Sequence, residues 1–572
     1  MTILFFLLIT IVMGAGIPKL GFNNSIESFM PHRDKEYLLY NKIKDTYGNP
    51  DNFHIFSVTH PRLWSTEAFA KLNELLVDIE AYQDFDEKLE NRRLETLNTV
   101  ISKGPVSPYV LIDQFNHDPV FKKLLSRKIE SMFKSKKMLS ERNLNKLKDK
   151  IKLSYDLKKN ESVDTIISPF TIKDITGKND VLEIFDLIEF DENGKRVLPQ
   201  TERELSEFRK RLMRNPAFDK GIYSKHPETG EITDFGVIVM FKNMADYDPI
   251  EREMCELAKS YDTLTITSFG APYVVMVNND YVQRDLIMLL PLVLITVILV
   301  FYYNFKSVRG VILPFSAICM TIIWTLGLIG HLGFKLTLLG NIIPSLMVAV
   351  GSSYSIHIIN QYYADFDLIT RKGLREGLRI SMGHISVTVL LAGLTTCIAF
   401  ITLTSSQISA VKEWGFFSAV GVLSAVFISV SLIPAILSLM IHKRPQRLLN
   451  KSNALKTTIS DRILYIFTIG ATRHYKKVLS VLSILILISF VGIFYLNVET
   501  QFMMNFRENS EIRTNEKIIS KKFGGGNNFS ILVDTGKENG VLTPDFLNTI
   551  ENFRAWLVLD ENIDLNIGRT DA

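Results

Sequence analysis

Seven stretches of this 572-residue sequence contain no aspartate, glutamate, lysine or arginine: Thr2–Ile17, Ile287–Tyr303, Val311–Ile329, Ile342–Ile359, Ile385–Leu403, Phe416–Ile441 and Val478–Leu496. Roughly 20 apolar residues in a helix cross a ~30 Å hydrocarbon core, so this absence predicts seven membrane spans. The first run also lacks the basic residues that open a signal peptide, and it reads as an anchoring span. Cysteine is scarce: Cys255, Cys319 and Cys397 are scattered over a polar segment and two spans, which excludes a disulfide framework or a thiolate metal site. The net charge is only +4, too small and too dispersed for a nucleic-acid partner. Gly524-Gly525-Gly526 lacks the Lys-Ser/Thr pair of a phosphate loop, which excludes nucleotide binding there. No cofactor and no metal are expected.

What is present divides the chain. Residues 1–17 form the first span, and 18–283 a large polar segment. Residues 284–441 hold five spans, 442–477 a basic linker and 478–496 the seventh span. A further polar stretch, 497–572, ends the sequence. Within the large segment the patterning predicts a helix at Glu36–Tyr47, a strand at Phe53–Thr59 and a helix at Thr66–Tyr82 capped by Ser65 or Thr66. Near its end come a strand at Gly236–Phe241, a helix at Pro249–Tyr261 and a strand at Thr263–Ser268. Two strand–helix units in one segment predict an α+β domain of the split βαβ type. Between them, residues 121–160 carry 14 Lys or Arg against 4 Asp or Glu, read as a solvated helical insert, with docking on anionic lipid as the alternative.

The loops assign an orientation. His442–Lys477 holds nine Lys or Arg and one acid, and Arg371, Lys372, Arg375, Arg379, Lys306 and Arg309 flank other spans on the same side. The positive-inside rule makes this side cytoplasmic and puts the large domain outside. The fold class expected is an α-helical polytopic membrane protein with an extracytoplasmic α+β domain.

The fourth span is the most unusual. Pro344 opens it, and Gly351, Ser352, Ser353, Tyr354, Ser355, His357 and Asn360 follow, more small and polar side chains than residence in lipid requires. Ser353 and His357 are four residues apart and share a face that Asn360 continues. His357 is the readily protonated side chain of the spans, able to carry a proton or to sit inert in a hydrogen bond. In the fifth span, Gly393, Thr395 and Thr396 could meet Ser352 and Ser353 across the bundle, or the two hydroxyls could bond to their own helix carbonyls. Pro344, Gly351 and Gly393 read as packing and helix-entry devices.

The end of the chain echoes its start. Phe523-Gly524-Gly525-Gly526-Asn527-Asn528-Phe529-Ser530-Ile531 follows the pattern of Tyr47-Gly48-Asn49-Pro50-Asp51-Asn52-Phe53-His54-Ile55, and Leu542-Thr543-Pro544-Asp545-Phe546 that of Ser65-Thr66-Glu67-Ala68-Phe69. A second copy of the plan therefore begins at the seventh span, with a strand at Asn528–Val533 and a helix at Pro544–Leu557. Standing by itself, this copy is expected to expose Phe529, Ile531, Phe546 and Trp556 and to be the first part lost to a protease.

This order of spans and domains resembles the resistance–nodulation–division (RND) superfamily on its MMPL side. Phe269-Gly270-Ala271-Pro272, Phe305-Lys306-Ser307-Val308-Arg309-Gly310, Asn341-Ile342-Ile343-Pro344, Val350 to His357, Gly393-Leu394-Thr395-Thr396 and Gly415 to Pro434 carry the resemblance. Spans two to six also resemble a sterol-sensing-domain bundle. The resemblance implies a transporter or exporter in a bacterial cytoplasmic (inner) membrane. It would move a hydrophobic or lipid-like substrate on an ion gradient, without enzymatic chemistry. Membrane lipids would be its partners, with a homo-oligomer or a second chain supplying the other half. A lipid or sterol sensor, or an accessory subunit, is the alternative. One departure weakens proton coupling: where the family places an acid in the fourth span, this sequence has Ser353, ahead of Tyr354.

Overall fold

The computed structural model describes residues 1–440 except 50, 134–137, 179–180, 193 and 216–217, then 459–496 and most of 503–558. The chain separates into two compact units. One comprises Met1–Leu38 and Asn279–Phe502, the other Leu39–Asn278 and Met503–Ala572.

The first unit is mostly helical and holds the seven apolar helices long enough to cross a membrane among the described residues, except for the first residues, 271–278, of one of them. We number them α1 (Thr2–Gly14), α2 (Ala271–Phe305), α3 (Val308–His331), α4 (Ile343–Ala364), α5 (Leu374–Thr402), α6 (Ser409–Leu437) and α7 (Tyr475–Ile493). The helix at α2 starts well before the apolar run expected at Ile287. Asn278, Asn279, Asp280 and Gln283 are polar but compatible with helix, so hydropathy marks only part of it. The core lies among α3, α4 and α6, where Ile318, Met347, Ile358, Val422, Ala425, Ile428 and Leu432 are almost wholly buried.

Small residues let the helices approach. A Cβ added to Gly327 or Gly330 of α3 would overlap the carbonyl oxygen of Met13 or Gly16, at the end of α1. Side chains join the same pair of helices. Trp324 Nε1 donates to Thr10 Oγ1 at 2.9 Å and stacks on Phe6, while His331 Nε2 meets the Val12 carbonyl at 2.8 Å. The first apolar run is thus packed into the bundle as a span.

In the second unit, strands β1 (Phe53–Thr59), β2 (Val163–Ile167), β3 (Ile232–Phe241) and β4 (Thr265–Phe269) form an antiparallel sheet in the order β2-β3-β1-β4, with Tyr223–Lys225 pairing on β3. Helix Thr66–Glu80 lies between β1 and β2 in the sequence, and Asp248–Lys259 between β3 and β4. This is the split βαβ topology. Ser65 is the cap of the first helix, its hydroxyl accepting from the Ala68 N–H at 3.2 Å. Alternation along the strands puts Phe56, Val58, Phe235, Val237 and Val239 on one face, which packs with the helices around Phe69, Leu72, Ile250 and Met254.

The basic insert is less solvated than its charge pattern predicts. It folds as Pro119–Phe133 and Glu141–Lys159, and two of its lysines are buried in ion pairs. Lys128 Nζ lies 2.5 Å from Glu253 Oε1, and Lys158 Nζ 2.7 Å from Glu90 Oε1. The helical period turns these lysines inward, and carboxylates on neighbouring elements neutralise them.

The other sheet face carries Ser57, Asp234 and Gly236, and a helix from the second copy covers it. Glu511–Phe523 buries Ile512, Ile519 and Phe523 there. Phe523 sits over Gly236, where a Cβ would come within 2.8 Å of its ring. Lys522 Nζ reaches the buried Asp234 carboxylate at 2.6 Å, and Asn515 Nδ2 donates to the Ser268 carbonyl at 3.1 Å. This helix lies ahead of Gly524, where the expected exposure begins, and it shields a sheet face that two helices alone leave open. Farther on, Ile531 and Trp556 are exposed as expected, Phe546 is half-buried instead, Phe529 lies outside the described residues, and the helix runs Pro544–Val558. Of the strand expected at Asn528–Val533, only Ile531 and Val533 are among the described residues, and neither is in a strand.

Candidate functional site

The small and polar residues of α4 divide between two faces. Pro344 is buried in the first turn, where its missing N–H costs no helix bond. Gly351, Tyr354 and Ser355 point into the bundle. Gly351 faces α3 without being required for its approach: a Cβ there would make ordinary contact with Ile318 Cγ1 at 3.5 Å. Ser355 Oγ and Ser429 Oγ of α6 are 3.1 Å apart and fully buried, a hydroxyl pair across the core. Gly393 of α5 is buried beside Tyr354 and Val426. An added Cβ would overlap the valine and lie 3.6 Å from the tyrosine oxygen. Of the residues singled out in the sequence, Tyr354 and Gly393 are the pair brought together across two helices.

Ser353, His357 and Asn360 do share a face, and that face is exposed. Ser345 and Ala349 continue it toward the start of α4. The remaining hydroxyls bond to their own helices: Ser352 donates to the Ala349 carbonyl at 2.9 Å. Thr395 and Thr396 both donate to the Ala392 carbonyl, at 2.9 and 2.8 Å. Their protons are thus spent locally rather than on Ser352 or Ser353.

Contrast with neighbouring helices gives the α4 face its meaning. The exposed side of α5 presents Val387, Leu390, Leu391, Leu394, Ile398 and Ile401, and that of α2 presents Ile287, Met288, Leu292, Ile295 and Leu299; the threonines exposed among them, Thr395 and Thr296, donate to carbonyls of their own helices. Those are surfaces for hydrocarbon. A serine, an imidazole and an asparagine in line are a surface for another polar group, for water or for a second protein face. Sequence reasoning missed Ser429, the partner of Ser355. In sequence it is one of several serines in an apolar run, and only the crossing of α4 and α6 distinguishes it. Among the described residues no group of histidine, cysteine and acid side chains could hold a metal ion.

The family model that matches is that of the MMPL family, over residues 232–462, from β3 through the five-span bundle into the linker. A protein of Methanocaldococcus jannaschii named only as a membrane protein is 24% identical over 146 residues, covering 25% of this chain and 37% of that relative. The chain thus matches well under half the length of that relative.

Proposed function

We propose that this chain, an RND/MMPL-type membrane protein over its matched residues, moves a hydrophobic or lipid-like substrate by rearrangement of its span bundle, driven by an ion gradient. The observation that carries the reading is the uncovered Ser353–His357–Asn360 line on α4. Polar side chains at membrane depth are costly unless they face a partner or a hydrated path. In parallel-repeat transporters that partner is the other half of the molecule, and substrate sites lie at the repeat interface. A second five-span bundle, or a second chain, would cover this line. The sheet unit would stand on the extracytoplasmic side of a bacterial inner membrane, receiving substrate from the outer leaflet. No bond of the substrate is made or broken in this scheme.

The test is reconstitution of the complete protein in vesicles with a fluorescent lipid-like substrate and an imposed proton or sodium gradient. Gradient-dependent movement is expected, abolished by His357→Ala at unchanged protein abundance. Full activity of that variant would return His357 to a structural role. One observation favours a second reading, a lipid or sterol sensor: the apolar stretch Ile342–Ile359 contains no acid to carry a proton. Saturable lipid binding with no movement under any gradient would select it.

A further inference from the structure

Helix Ile459–Arg473 precedes α7, and the two could have run on as one rod, as α2 does over 35 residues. They do not. His474, at φ −116° and ψ 29°, breaks the helix one residue before α7 begins, so the first helix leaves the axis of the span at its entrance. Its 15 residues would reach only about 22 Å, too short to cross a bilayer itself. It nevertheless exposes five consecutive large side chains: Ile463, Leu464, Tyr465, Ile466 and Phe467, at 49–72% of their full area.

At 100° per residue, Ile463, Ile466, Phe467 and Gly470 fall on one face with Leu464 and Ile469 at its margins, Tyr465, Thr468 and Thr472 fall on the opposite one, and Arg462 and Arg473 lie beside the apolar arc. Lys476 and Lys477 follow within the first turn of α7. Such a helix, apolar on one side and edged by cations, suits the plane between acyl chains and headgroups. The start of a span one residue beyond its end fixes that helix at the membrane surface. The charge there has one sign: the linker His442–Lys477 has nine Lys or Arg and a single acid.

We propose that Ile459–Arg473 lies in the membrane interface and that Arg462, Arg473, Lys476 and Lys477 bind anionic phospholipid headgroups. Phe467 and Ile463 sit among the upper acyl carbons, Thr468 and Thr472 face water, and the arginine stems reach sideways to the phosphates. The surface is separate from the α4 line, and the inference stands whichever substrate the bundle moves.

The experiment uses the full chain with Cys255, Cys319 and Cys397 replaced by alanine. Single cysteines, Phe467→Cys, Thr468→Cys and, as a control inside α7, Ile486→Cys, carry an environment-sensitive fluorophore. The proteins are placed in nanodiscs of phosphatidylcholine alone or mixed with phosphatidylglycerol, and an acyl-chain quencher is added. In the mixed lipid, quenching at 467 should exceed that at 468 several-fold. The excess should fall in phosphatidylcholine, in high salt, and in the combined variant Arg462→Gln, Arg473→Gln, Lys476→Gln, Lys477→Gln, while the signal at 486 stays constant. Equal quenching at 467 and 468 would overturn the interfacial placement. A difference indifferent to lipid charge, salt and the four substitutions would overturn the anionic headgroup site.

Discussion

The two units of this chain bury polar groups in opposite ways. The bundle buries hydroxyls: Thr321 and Thr325 donate to the Ala317 and Thr321 carbonyls at 2.8 Å, and Ser355 meets Ser429. The sheet unit buries charge: Lys128 Nζ lies 2.5 Å from Glu253 Oε1 and Lys158 Nζ 2.7 Å from Glu90 Oε1, all four side chains buried, and His54 Nδ1 lies 2.6 Å from Glu251 Oε2 with both side chains inaccessible. In hydrocarbon a threonine or serine is satisfied by its own helix at almost no cost, whereas an ion must find a counter-ion or stay out. A water-facing domain can close ion pairs as it folds, and each then penalises any packing that separates the partners. The bundle is consequently tolerant in its polar contacts and the sheet unit is not.

The largest effect should come from breaking one of those pairs. Lys128→Met strands the Glu253 carboxylate, which also accepts from Tyr82 Oη at 3.0 Å, and should cost about 3–5 kcal/mol. Thermal unfolding of the purified protein, followed by a probe in the sheet unit, measures it. Adding Glu253→Gln should recover most of the loss, and a small loss in the single variant would erase the contrast.

A smaller effect should appear on acidification. Burial pushes the Asp118 carboxyl up, but bidentate bonds from Arg93, with the Phe121 N–H, outweigh it and hold the group below its ordinary 3.8. A folded-state value below the unfolded one stabilises fully above the unfolded value and fades as pH falls through the folded one. Arg93→Gln should therefore flatten the loss of stability below about pH 4. An unchanged acid limb would remove Asp118 from the account.

The smallest effect belongs to the bundle. Ser355→Ala and Ser429→Ala should couple by only about 0.6 kcal/mol in a double-mutant cycle. Coupling several times larger would show that the bundle, too, depends on a specific polar contact.

Much of this architecture was legible before any coordinates. Charge-free runs marked seven helices, and the strand–helix alternation at Phe53–Tyr82 and Gly236–Ser268 implied the split βαβ sheet but not its edge strand Val163–Ile167, which follows the basic insert. Helical spacing put Ser353, His357 and Asn360 on one face, but spacing states which residues share a face and is silent on what covers it. The same limit hid Ser429 and the inward turn of Lys128. The helix Glu511–Phe523 was harder still, since its site is built from Ser57, Asp234 and Gly236 on distant strands. An aspartate two residues from a glycine at the start of an apolar strand, Asp234 and Gly236, was the available hint that this face receives a neighbour.

The clasp between α1 and α3 has a consequence for how the protein is made. Thr10 and Trp324 are 314 residues apart, so at ~5–20 residues per second the ribosome needs on the order of 15–60 s to supply the second after the first. For that interval α1 waits in the bilayer without its partner. It can wait safely, because the Thr10 hydroxyl donates to the Phe6 carbonyl of its own helix at 2.7 Å and leaves no proton unmet. When α3 arrives, the same oxygen still has a lone pair for the indole. One hydroxyl thus serves first as a placeholder and then as a docking point, and assembly needs no exchange of bonds at that step.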